Sequence, residues 1–97
     1  MKPTNLLFIM SDQHSRDKTG CYGHPLVQTP HIDGLAARGT RFSNAYTNCP
    51  ICVPARGALA TGRYVHQTGF WDNGLPYDGS VPSWGHRLKE QGTIVDS

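Results

Sequence analysis

The residues with the strongest claim to chemistry lie in the run NCPICVPARGALATGR, positions 48–63. Cys52 stands two residues before Pro54 and four before Arg56, at the mouth of a stretch rich in alanine and glycine. If Pro54 is the first helical residue, Cys52 and Val53 fall at the amino-terminal cap. Unpaired N–H groups and the positive end of the helix dipole favour an anion there. Arg56, two residues into that helix, supplies a planar fork for a pair of sulfate or phosphate oxygens. Ala55, Gly57, Ala58 and Ala60 are small enough to let the helix pack closely on a sheet. The bland reading is a tight helix start with a buried thiol and a surface arginine. Reactive cysteines favour such sites, and spacing alone leaves both readings open.

A metal reading competes for the same cysteine. Cys49-x-x-Cys52 and Cys21-x-x-His24 together offer three thiols and an imidazole, the composition of a structural zinc set. That set would consume Cys52 and leave the C-x-P-x-R helix mouth unexplained. A thioredoxin-like redox pair is weaker still, because the upstream pattern does not supply the strand such a pair follows. Among the other histidines, His14 reads as a solvated loop residue two positions beyond Asp12. His66 and Trp71 fall in an aromatic loop and read first as packing, with a pocket wall as the alternative. His86, between Trp84 and Leu88, reads as structural.

These groups need elements to hold them. Ninety-seven residues allow at most one modest domain. Hydrophobic residues make up 37%, while 11 glycines and 7 prolines point to many turns. Leu, Ile, Val and Phe still recur in blocks, unlike a disordered chain. The net charge of +2 comes from scattered basic residues, which argues against a nucleic-acid partner. The apolar run at 6–10 is too short for a signal peptide or a membrane span. Three cysteines, an odd number, fit a reducing compartment, so the expectation is a cytoplasmic chain with no membrane partner.

Residues 5–10 form an apolar run that stops at Ser11-Asp12-Gln13-His14, the pattern of a buried parallel strand. Ligands bind beyond the carboxyl ends of such strands, which is where Asp12 stands. A glycine-rich loop follows, and then Thr29-Pro30 as cap and first turn of a helix over 31–38, stopped by Gly39. Residues 42–46 read as a short strand and 48–53 as a loop. A helix opens at Pro54 and closes at Gly62. A long loop covers 64–80, a helix covers 82–91 with Gly92 as its stop, and 93–95 begin a strand. The order predicts an α/β fold, the start of a parallel-sheet domain left incomplete.

Cys52-Val53-Pro54-Ala55-Arg56, followed by Leu59, Thr61, Gly62 and Arg63, resembles the signature of the formylglycine-dependent sulfatases. The opening NLLFIMSDQ is similar to that family's first strand and metal-binding aspartate. Gly23, Thr29-Pro30, Asp33, Leu35-Ala36, Gly39, Phe42 and Asn44-Ala45-Tyr46 resemble its connecting region, so the likeness runs from residue 5 to about residue 92. The resemblance implies an alkaline-phosphatase-like domain, with residues 1–97 as its amino-terminal portion. It implies hydrolysis of sulfate esters, with Cys52 oxidised by a formylglycine-generating enzyme to the nucleophile precursor and Arg56 holding the hydrate and nearby charge. Asp12 matches the first metal ligand, and position 52 also binds the metal. Gln13 stands where many sulfatases have a second aspartate, and the D-Q pair resembles the choline-sulfatase and phosphonate monoester hydrolase branches. The implied cofactor is a divalent cation, calcium first, with magnesium or manganese as alternatives. The implied partners are a small sulfate or phosphonate ester and the rest of the hydrolase domain. Taken alone, the 97-residue chain is expected to bind metal weakly and to be inactive. A phosphonate or phosphate ester hydrolase, the zinc module and a degenerate remnant are the alternatives.

Overall fold

The computed structural model describes residues 5–96, so Lys2 and Ser97 lie outside it. The chain divides into two compact units, Met1–Ser43 and Asn44–Ser97.

In the first unit, two 3-10 turns, Arg16–Lys18 and Gly20–Tyr22, precede helix α1, Pro30–Arg38. Pro30 opens α1 because its fixed φ suits the first turn and its missing N–H would have had no partner there. Thr29 occupies the cap position without capping through its side chain. Its hydroxyl instead accepts the Gly20 amide at 2.8 Å and donates to Asp33 Oδ1 at 2.9 Å. Asp33 Oδ1 also accepts the Cys21 amide at 2.7 Å. The glycine-rich loop is thereby pinned to the first turn of α1. The Tyr22 ring lies beside two guanidinium groups, Arg41 at 4.9 Å and Arg16 at 5.6 Å from its centroid. Its hydroxyl donates to the Phe42 carbonyl at 2.7 Å.

The second unit holds α2 (Cys52–Thr61), α3 (Val65–Thr68) and α4 (Trp84–Glu90), with α3 and α4 both packed on α2. Helix α2 buries Pro54, Gly57 and Ala58, one face at i, i+3, i+4 spacing. Phe70, 7% exposed, rests on Gly57, where a Cβ would come within 3.2 Å of its ring. Tyr77 meets Phe70 edge to face at 5.5 Å. Gly62, at φ 69°, ends α2 in the left-handed conformation that glycine adopts without steric cost. His86 is exposed rather than partly buried, and its role is local: its Nδ1 accepts the Ser83 amide at 3.2 Å, while the Ser83 hydroxyl accepts the His86 amide and caps α4.

The parallel sheet expected at 5–10, 42–46 and 93–95 is not formed, and the described residues contain no strand. A strand exists by pairing, and a parallel one also needs both faces covered. Leu6, Leu7 and Ile9 instead stand 81%, 82% and 76% exposed. The helical half of the α/β expectation is present without its sheet. The region 64–80, read as loop throughout, contains the short helix α3.

Candidate active site

Cys52 is the first residue of α2, and its side chain is exposed. The helix therefore starts two residues earlier than Pro54 suggests. Proline is tolerated anywhere in a first turn, because the N–H it lacks has no intrahelical partner there. Ile51 holds the cap position in extended conformation (φ −99°, ψ 141°) and offers no side-chain acceptor. The acceptor comes from further along the chain: the Val53 amide donates to Asn73 Oδ1 at 3.0 Å. The Ala55 amide already bonds the Ile51 carbonyl at 2.9 Å. The helix mouth is therefore not the open row of donors expected from sequence. Pro54 has no N–H, and that of Val53 is taken.

Arg56 lies four residues after Cys52, on the same face of α2, and is exposed. The structure thus brings the predicted nucleophile position and the predicted anion-holding cation together on one helix. Asp12 and Gln13 lie together in the first unit, on an irregular exposed stretch. Gln13 adopts φ 54°, and among the described residues no other non-glycine residue has a positive φ. Such a backbone is uncommon for glutamine and recurs at functional sites.

Among the described residues, no group of three or more His, Cys, Asp or Glu side chains is placed to hold a metal ion. Within the first unit Cys21 and His24 are joined by no third such side chain, and within the second neither are Cys49 and Cys52. His24 has a local role instead, its Nδ1 accepting the amides of Leu26 at 3.1 Å and Val27 at 2.9 Å. Nor do Asp12, Gln13 and position 52 amount to a complete cation site, since calcium takes about six to eight oxygen ligands.

His66 stacks on Tyr64 at 5.7 Å, and Trp71 is 56% exposed. Near the carboxyl end of α2, Tyr46, Asn48, Leu59, Arg63 and Tyr64 line a cavity of about 740 Å³, away from Cys52. Asn73 is the site residue that sequence reading missed. In Asp72-Asn73-Gly74 an asparagine reads as a turn former, and nothing local marks it as a helix cap. Among the described residues no helix is long and apolar enough to cross a membrane.

Residues 4–95 match the sulfatase family model. The chain is 41% identical over 92 residues to the uncharacterized sulfatase YidJ of Escherichia coli (strain K12), covering 95% of this chain and 18% of that protein. It is 35% identical over 91 residues to an N-acetylglucosamine-6-O-sulfatase of Bacteroides thetaiotaomicron, covering 94% and 16%. To arylsulfatase A of Homo sapiens it is 41% identical over 70 residues, covering 72% and 14%. The chain spans less than a fifth of the length of these curated relatives. No solved structure matches it.

Proposed function

Because the chain belongs to the sulfatase family, we propose that it carries the nucleophile-bearing segment of a hydrolase of sulfate esters. The observation behind this reading is the pairing of an exposed Cys52 at the first residue of α2 with Arg56 one turn on. Converted by a formylglycine-generating enzyme, position 52 would carry an aldehyde hydrate, one hydroxyl to attack sulfur as the alcohol leaves and a second to expel sulfate. Arg56 presents its fork to two oxygens of the transferred group and stabilises the charge they gather. The amino-terminal end of α2 adds the positive field of its dipole. Pro54, Gly57 and Ala58 hold the opposite face of the helix against the second unit, so Cys52 and Arg56 stand on a fixed support.

A divalent cation, calcium or else magnesium or manganese, would draw on Asp12, Gln13 and position 52. Those donors do not complete a site by themselves, since a hard cation takes about six or more oxygen ligands. A phosphonate or phosphate ester is the second reading, because Asp12-Gln13, with an amide in place of a second carboxylate, resembles the choline-sulfatase and phosphonate monoester hydrolase branches alike.

The deciding measurement is mass analysis of the tryptic peptide 42–56 from protein made in its own cells. Formylglycine at position 52 is the expected result. Unmodified cysteine throughout would overturn the proposal. Comparing turnover of p-nitrophenyl sulfate with that of p-nitrophenyl phenylphosphonate then separates the two ester classes.

A further inference from the structure

We infer that Asn73 is a positioning residue for Cys52: its side-chain amide holds the first turn of α2 and, through it, the backbone of residue 52. This rests on the reading of Cys52 as the functional position. A helix whose cap residue is isoleucine lacks the side-chain acceptor that serine, threonine, asparagine or aspartate would give. Asn73 supplies that acceptor from twenty residues further along, bonding the Val53 amide at 3.0 Å.

The surrounding segment is built to present it. Asp72 Oδ1 accepts the Gly74 amide at 2.7 Å, and the Leu75 amide donates to the Asp72 carbonyl at 3.2 Å, closing a turn around Asn73. Three residues before Asn73, Phe70 is buried on Gly57. Four residues after it, Tyr77 packs against Phe70 and donates its hydroxyl to the Val81 carbonyl. Val53 and Gly57 are four apart and share a face of α2, while Cys52 and Arg56 share the neighbouring one. Residues 70–77 therefore form a strap along one side of α2, fastened at its mouth by Asn73.

The test uses the full chain with Asn73→Leu, which keeps the size and removes the acceptor, and Asn73→Asp, which keeps the acceptor. Amide hydrogen exchange at Val53 and Gly62 and the Cα chemical shift of residue 52 are followed by NMR. Asn73→Leu is expected to speed Val53 exchange about fivefold, the equivalent of a lost cap. It also moves the residue 52 shift away from its helical value, leaves Gly62 unchanged, and Asn73→Asp restores both signals. Unchanged Val53 exchange in Asn73→Leu would overturn the inference. So would a residue 52 shift that stays helical, or a Gly62 amide that accelerates equally, since that reports general loosening. Absence of formylglycine at position 52 refutes the sulfatase reading alone and leaves these signals to be judged as they stand.

Discussion

A methyl group on Gly20 would overlap the Asp33 carboxylate, the same carboxylate that accepts the Cys21 amide and the Thr29 hydroxyl. The absence of a side chain at 20 and the acceptor at 33 are thus one device, joining the glycine-rich turn to α1. Gly20→Ala is expected to destabilise the chain by about 1–3 kcal/mol, from crowding and from displacing a paired carboxylate. Asp33→Asn, which keeps one acceptor oxygen, costs less. Urea denaturation midpoints of the two variants check the order.

Gly57 and Phe70 make a second close contact with a different outcome. Alanine at 57 gains about 1 kcal/mol of helix propensity, but its methyl would stand 3.2 Å from a ring that Tyr77 also holds. Gly57→Ala is therefore expected to be destabilising overall, and Phe70→Leu in the same chain to recover part of the loss. A double-mutant cycle reads the coupling, and additive effects would remove this account.

Arg56 tests the proposed chemistry. Arg56→Lys keeps the charge and loses the fork, so kcat/KM for p-nitrophenyl sulfate should fall about tenfold to hundredfold in formylglycine-bearing enzyme that includes the rest of the hydrolase domain. Formylglycine content, measured on the same preparation, should not change. Equal turnover by the lysine variant would show that Arg56 does not hold the transferred group.

The Ser80 hydroxyl, and then its amide, hold the Asp78 carboxyl below the ordinary aspartate value of 3.8. A depressed carboxyl stabilises the fold above its unfolded value, and that contribution is lost as pH falls through the folded one. Asp78 is fully exposed, so the effect on stability is small, but its titration is directly visible. Ser80→Ala should raise the midpoint toward 3.8, followed by the Asp78 carboxyl carbon in an NMR titration.

Legibility tracked how local each feature is. Helix α1 lies within one residue of its expected span and α4 within two, because periodic apolar residues and their stops are written into neighbouring positions. The Cys52–Arg56 pair was legible for the same reason, since four-residue spacing in a helix is a contact by construction. The true start of α2 was not, because its cap comes from Asn73. Helix α3 has four residues, too few for periodicity to show. The apolar run at 6–10 has the composition of a strand, but composition cannot supply the neighbour that makes one. The cysteine and histidine spacings suited zinc, yet spacing does not state whether residues converge, and neither pair gathers a third ligand within its own unit.

The φ of 54° at Gln13 lets two pressures on one position be separated. Folding alone ranks glycine, asparagine and aspartate first at a left-handed residue, and places valine and isoleucine last. A saturation library at position 13, scored once for abundance and once for turnover, therefore yields two orderings. Wherever glutamine outranks glycine in the second and not in the first, the difference measures what the side-chain amide contributes to function, freed from what the backbone prefers.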